Sequence, residues 1–324
     1  MSSSEVILRI RDLKVVYLSP RGQVKAVDRV SLNVFRNEVL GIVGESGSGK
    51  STLAHTILRI LPPTARIVSG SILYDGTDII KLPEREFKNI RWRKLSLVPQ
   101  AALNALNPTM KILDHFIETG RAHGLNDRRL IMERAKELLE LLRLEPRRVL
   151  NSYPHELSGG MKQRVLIALS MLLEPEILIL DEPTTALDVL TQRAILDLLK
   201  EIKDKLRITM VFITHDIAVI ADLADRIAVM YAGKLMEVGD VYTVFRRPAN
   251  PYTKALMASI PSLIGKVEDM KPIPGSPPDL VNPPRGCRFH PRCPYAMEIC
   301  KKEEPPTVEL STGHIASCWL YVKR

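Results

Sequence analysis

Gly44-Glu45-Ser46-Gly47-Ser48-Gly49-Lys50-Ser51, followed by Thr52, is the stretch on which the reading of this chain turns. It has the form Gly-x4-Gly-Lys-Ser, a phosphate-binding loop pattern that carries weight only where a strand precedes it and a helix follows. Both conditions are met. Val39, Leu40, Ile42 and Val43 make a short apolar run of strand length. From Lys50 onward Leu53, Ile57, Leu58 and Leu61 recur on one helical face until Pro62-Pro63 stops them. In such a loop Gly44, Gly47 and Gly49 let the backbone turn its N–H groups of Ser46, Ser48 and their neighbours onto phosphate oxygens. Lys50 adds a point charge at the β and γ phosphates, and the Ser51 hydroxyl can ligate magnesium.

The same logic recurs further along. Ile177-Leu178-Ile179-Leu180 ends in Asp181-Glu182, as a buried parallel strand would when it delivers carboxylates at its C-terminal edge. Asp181 is expected to hold magnesium, and Glu182 to orient and deprotonate an attacking water. Phe212-Ile213-Thr214 leads to His215, which can reach a γ-phosphate from the same kind of sheet edge. Ser158-Gly159-Gly160 leaves backbone amides unshielded where an apolar-periodic helix begins at Met161; this reads either as an ordinary helix cap or as an anion site at a helix N-terminus.

Working outward, residues 7–43 alternate apolar positions over short spans, broken at Pro20-Arg21-Gly22 and Arg36-Asn37-Glu38, and read as strands with turns. Between about 101 and 154 the pattern is helical, with Ile131, Ala135, Leu138, Leu139 and Leu142 at helical spacing, so an all-helical insertion is expected. Strand–helix alternation then returns at 177–180, 189–204 and 209–213. Beyond Arg246 lie 13 of the 23 prolines, which predicts an extended, irregular appendage.

At 324 residues and 45% hydrophobic content the chain can bury a substantial core. No apolar run approaches the roughly 18 residues of a membrane span, and residues 1–11 do not have the make-up of a secretion signal; a cytoplasmic chain is expected. The net charge of +9 is spread thinly, and pairs such as Arg128-Arg129 and Arg147-Arg148 read as solvated helix faces rather than a nucleic-acid patch.

The order of these motifs carries a resemblance. The phosphate loop at 44, Gln100 after the strand at 95–98, Ser158-Gly159-Gly160, Asp181-Glu182, Ala186-Leu187-Asp188 and His215 together resemble the nucleotide-binding subunit of an ATP-binding cassette (ABC) transporter, over about residues 5–250. The resemblance implies an α/β fold: a P-loop NTPase core of the ABC ATPase type with an N-terminal antiparallel β region, an α-helical insertion and an irregular Cys/Pro-rich C-terminal extension. The implied division is 1–100 with 165–250 as the RecA-like ATP-binding core, 101–164 as the helical part bearing Ser158-Gly159-Gly160, and 251–324 as the extension. It further implies ATP with Mg2+ held by Ser51, Gln100 and Asp181, and Gln100 linking the γ-phosphate to the helical part. Thr52 and Asp188 join the nucleotide-binding set, and Ser158, Gly159 and Gly160 complete the ATP site of a second subunit. Tyr17 occupies the place of the adenine-stacking aromatic, though it can equally be core.

Asn250-Pro251-Tyr252-Thr253-Lys254-Ala255-Leu256, Ile273-Pro274-Gly275-Ser276-Pro277-Pro278, Met161, Asn107-Pro108 and the cysteine-bearing tail resemble the ATPase subunits of oligopeptide and dipeptide importers, although Ala101-Ala102 departs from the Asp-Pro common there. Membership would bring as partners a second, related ATPase subunit forming a heterodimer, two membrane permeases and an external binding protein. It would place the chain peripherally on the cytoplasmic face of the membrane, with oligosaccharide or nickel as alternative cargo. A soluble ABC ATPase acting on DNA or ribosomes is the competing class. Cys287, Cys293, Cys300 and Cys318 are separated by five, six and seventeen residues. A [4Fe-4S] cluster is expected there on the resemblance, with zinc the alternative.

Overall fold

The structure, a computed structural model, describes residues 5–100, 105–259 and 273–322. Ala101-Ala102 lie outside these. The chain divides into two compact units, Met1–Ile80 with Thr214–Arg324, and Lys81–Ile213.

The first unit opens with β1 (Val6–Ser19) and β2 (Gly22–Phe35), joined by the tight turn expected at Pro20-Arg21-Gly22, where Ser19 pairs with Gly22. β3 (Val39–Val43) follows, then the helix Lys50–Ile57, β4 (Ala65–Tyr74) and β5 (Thr77–Asp78). Antiparallel pairing orders one sheet β2-β1-β4-β5. Alternation in β1 breaks at Asp12, whose φ of 43° coincides with a register shift between Ile10 and Leu13; such bulges bend a long strand.

The second unit holds β6 (Leu95–Val98), β7 (Ile177–Asp181) and all but the last residue of β8 (Thr209–Thr214), parallel neighbours in the order β8-β7-β6. Every residue of these strands is buried, which is why they read as unbroken apolar runs. Helices Ile112–Ala122, Arg128–Leu141 and Pro146–Asn151 occupy the segment expected to be helical. Asp127 caps the second of them, and Ile131, Ala135 and Leu139 form its buried stripe. The helix expected from Met161 spans Gly159–Met171.

The chain returns to the first unit with the helix Ile217–Leu223, β9 (Arg226–Tyr231) and β10 (Lys234–Asp240). β9 runs parallel to β3, with Val43 opposite Val229, and β10 pairs antiparallel to β9. The proline-rich tail departs from the irregular appendage the composition predicts. Besides the helices Pro251–Ala258 and Glu298–Lys302 it forms a hairpin, β11 (Thr307–Ser311) and β12 (His314–Ser317), and β12 extends the sheet by pairing with β10. Proline density misled because the prolines cluster upstream of these strands, leaving every N–H of 307–317 available for the ladder.

Two buried acids tie the tail down. The Glu237 carboxylate on β10 accepts from the N–H of Ala249 and of Asn250, each at 2.8 Å, and pairs with His314 Nε2 at 2.8 Å. Asp28 on β2 accepts from Arg288 Nη2 at 2.5 Å and lies 3.0 Å from Lys234 Nζ. Burial by itself would raise the Asp28 carboxyl, but Lys234, Arg288 and Lys14 outweigh it and hold it below the ordinary carboxylate value. Among the described residues no helix is long and apolar enough to cross a membrane.

Replacing Glu237 by Ala strands two buried N–H donors, each costing about 1–3 kcal/mol, so Glu237→Ala should lower the free energy of urea unfolding by about 3 kcal/mol. A depressed folded pKa contributes stability that is present at neutral pH and lost as pH falls through that pKa. Asp28→Asn should therefore reduce the melting temperature at pH 7, and its deficit should shrink as the pH is lowered below the ordinary carboxylate range, as followed by circular dichroism across pH.

Candidate functional site

In the first unit, β3 runs straight into the loop 44–49 and the loop into the helix Lys50–Ile57. Two of its glycines leave no room for a side chain. A Cβ on Gly44 (φ +151°) would stand 2.0 Å from the Met230 carbonyl oxygen, and one on Gly49 (φ +102°) 2.2 Å from that of Ala26. The loop is thus pressed between β2 and β9, and Gly233 N–H donating to Ser48 O at 2.9 Å adds a third backbone tie. Lys50 is buried; its ammonium donates to Gly44 O at 2.7 Å, Glu45 O at 3.0 Å and Ser48 Oγ at 3.2 Å, so it sits inside the ring the loop describes. Ser46 and Gly47 are exposed, and Ser51 and Thr52 half-buried on the first helical turn. Tyr17, half-buried near the end of β1, has its hydroxyl 3.2 Å from Thr52 Oγ1, so both readings of it keep it beside the loop. His215 stands exposed just past β8, where Asp216 N–H donates to Thr214 Oγ1 and the Asp216 carboxylate caps the next helix.

In the second unit two groups form. Asp181 ends β7 fully buried. Glu182 follows in a left-handed conformation (φ 49°) fixed by its N–H donating to Ile213 O at 2.8 Å. Its carboxylate accepts from Gln100 Nε2 and from Thr185 Oγ1, both at 3.1 Å. Gln100 and Glu182, 82 residues apart, are therefore brought together. Thr185 was not legible, because a threonine in a turn gives no periodic or motif signal.

The second group joins Ser158-Gly159-Gly160 to Asp188. Ser158 caps its helix, accepting from Met161 N–H at 3.3 Å, while Gly159 and Gly160 form the first turn. A Cβ on Gly160 would meet Thr191 Cγ2 at 2.5 Å. Thr191 is itself held by Asp188, whose carboxylate accepts from its N–H at 3.0 Å and its hydroxyl at 2.6 Å. Those bonds hold the exposed Asp188 carboxyl below the usual value. Asp188 caps the helix Val189–Leu206, and Thr191, absent from the sequence reading, is the link between the two motifs.

The cysteine expectation is overturned. Cys287, Cys293, Cys300 and Cys318 do line one cavity, but its volume is about 20 Å³, the space of a single water molecule. Burial pushes the thiols of Cys293 and Cys318 up, and that of Cys287 up to about 11. Among the described residues no group of three or more His, Cys, Asp or Glu is placed to hold a metal ion. Neither an iron–sulfur cluster nor zinc is supported.

A glycine cradle around a buried lysine, opening a helix after a buried strand, defines a P-loop nucleotide-binding protein. The ABC transporter family model matches residues 27–185, and that of the oligopeptide/dipeptide transporter C-terminal region matches 236–300. The dipeptide transport ATP-binding protein of Caldanaerobacter subterraneus subsp. tengcongensis is 53% identical, covering 98% of this chain and 97% of its own. The oligopeptide transport ATP-binding protein of Bacillus subtilis is 42% identical over 97% of this chain and 88% of its own. A solved dimeric bacterial ABC transporter cassette superposes with a TM-score of 0.63 at 30% identity, covering 72% of this chain and 98% of that one. The chain belongs to the ABC transporter family, in its branch of dipeptide and oligopeptide transport ATP-binding proteins.

Because Gly49 has neither the φ nor the room for a side chain, Gly49→Ala should distort the loop. With strain of about 1–3 kcal/mol, MgATP affinity is expected to fall about 5- to 150-fold in an equilibrium titration, with the far-ultraviolet spectrum retained.

Proposed function

We propose that this chain is the ATP-hydrolysing subunit of an importer of peptides, working as a pair with a second ABC ATPase subunit. The observation that carries the reading is the 53% identity to a dipeptide transport ATP-binding protein along nearly all of both chains, together with the match of the tail to the oligopeptide/dipeptide C-terminal region. Family membership makes it an ABC-type ATPase.

In this reading the N–H groups of Gly44 to Ser51 wrap the phosphates of ATP, Lys50 turns its charge from the loop carbonyls to the β and γ phosphates, Thr52 adds a hydroxyl, and Tyr17 lies against adenine. The Ser51 hydroxyl, the Gln100 amide oxygen and the Asp181 carboxylate are hard oxygen donors of the kind Mg2+ prefers, and they would hold it. Bound there, it would supply positive charge to offset that of the phosphates. Glu182 accepts a proton from the attacking water as its oxygen bonds to the γ-phosphorus, and the bridging oxygen leaves with ADP. Gln100, hydrogen-bonded to Glu182, and Thr185 orient that carboxylate. His215 contacts the γ-phosphate.

Ser158, Gly159, Gly160 and Asp188 serve the second subunit's ATP; the dimeric state of the related cassette favours this. The working division is 1–100 with 165–250 as ATP-binding core, 101–164 as the helical part that docks a membrane subunit, one of two permeases in the complex, and 251–324 as the extension. The chain then sits peripherally at the cytoplasmic face of the membrane, served by an external binding protein and binding no nucleic acid.

Glu182→Gln should bind MgATP at wild-type affinity but lower steady-state phosphate release at least about 100-fold, and should accumulate as an ATP-dependent dimer on size exclusion. Affinity capture from detergent-solubilised cells should recover permease subunits; recovery of ribosomes or DNA alone would replace the transport reading with the soluble one.

A further inference from the structure

Glu45, the second residue of the phosphate-binding loop, is held by residues from the far end of the chain. Arg292 Nη1 donates to Glu45 Oε2 at 2.7 Å and Nη2 to Glu45 Oε1 at 3.0 Å, the two-pronged arrangement that fixes a carboxylate in both position and plane. The other Arg292 donors are also engaged: Nε with Pro274 O at 2.7 Å, Nη1 with Tyr231 Oη at 3.2 Å, and Nη2 with the carbonyls of Ile273 and Gly275 at 3.4 Å. The guanidinium lies 5.7 Å from the Tyr231 ring centre and is buried. The Glu45 main chain is tied separately, its N–H donating to Tyr252 Oη at 3.0 Å. Tyr252 packs with Tyr231 and Phe289 at ring distances of 4.5 and 5.3 Å, so both anchors stand on a rigid base.

We propose that Arg292, acting through Glu45 and supported by Tyr252, is a positioning residue of the phosphate-binding loop, so that the C-terminal extension sets how tightly this chain holds ATP. The inference rests on reading residues 44–51 as the ATP site. Two physical effects lead there. A glycine-rich loop loses much conformational freedom when its N–H groups converge on phosphate; tethering Glu45 at side chain and main chain removes part of that loss before nucleotide arrives. The loop also carries a carboxylate into a site for a polyanion, and Arg292 neutralises it. No loop-internal group does so: the Lys50 ammonium contacts the Glu45 carbonyl, not its carboxylate.

The two effects separate in a double-mutant cycle on the full-length chain, read as the dissociation constant for MgATP in an equilibrium titration. Arg292→Ala loses the tether and exposes the charge, and should weaken binding about tenfold. Glu45→Ala loses the tether but carries no charge and should weaken it about threefold. The double variant should match Glu45→Ala, binding better than Arg292→Ala alone, and the Arg292→Ala defect should shrink with added salt. A merely structural arginine would leave the double variant at least as weak as Arg292→Ala, and that result would overturn the proposal, as would unchanged affinity in Arg292→Ala. Should Arg292→Ala fail to fold, Tyr252→Phe keeps the ring packing and removes only the hydroxyl acceptor. It should weaken MgATP about threefold at an unchanged melting temperature, and wild-type affinity in both Tyr252→Phe and Glu45→Ala would sink the idea. Lys50→Ala serves as the reference: if it bound MgATP normally the ATP-site reading would fail, whereas its loss of binding beside a normal Arg292→Ala would refute the positioning role alone.

Discussion

The constraint on which the first unit depends is the close approach of the phosphate-binding loop to its own sheet. With Gly44 facing the Met230 carbonyl and Gly49 that of Ala26, the loop is seated between backbones at distances that exclude any side chain. The parallel register of β3 and β9 places Met230 next in line after Val43 opposite Val229, just where the loop leaves the sheet. Three glycines with positive φ lie within six residues, at positions 44, 47 and 49, and that curvature allows one lysine ammonium to reach two carbonyls and a hydroxyl of its own loop.

The tail belongs to the same construction. Its hairpin lengthens the sheet through β12, Glu237 satisfies the N–H groups where the tail departs, and Asp28 receives Arg288. Arg288 and Arg292 sit four residues apart in the segment that also carries Cys287 and Cys293, so a stretch rich in thiols serves here to bring two arginines against the core. Arg292 is the countercharge of the half-buried Glu45 carboxylate, and Arg288 joins Lys234 and Lys14 around the buried Asp28; for such charges loss of a partner is costlier than the pair is stabilising.

In the second unit the local rules of helix capping and strand burial suffice for most of what is seen. Asp127, Ser158 and Asp188 each accept from a backbone N–H at the start of a helix, and the strands are buried on both faces. Thr191 changes the meaning of two of those caps. By filling the space behind Gly160 while held by Asp188, it makes the Ser-Gly-Gly turn and the loop after β7 one packed assembly.

Signals of short range were readable without coordinates. The eight residues from Gly44, the apolar runs of β3, β6, β7 and β8, and the stripe of Ile131, Ala135 and Leu139 announce themselves because periodicity and glycine placement act over a few residues. Proline density and cysteine spacing misled for a complementary reason: composition reports what a segment can do alone. It does not report whether β12 finds β10 as a neighbour or whether four thiols enclose a void of only about 20 Å³. The sequence by itself determined that a strand, a glycine loop and a helix would make a phosphate site, since those residues are contiguous. Only the tertiary structure decided that Gln100 meets Glu182, that Thr191 backs Gly160, and that Arg292 closes on Glu45 across 247 positions, because such pairings depend on which buried charge or hydroxyl the fold leaves opposite which partner.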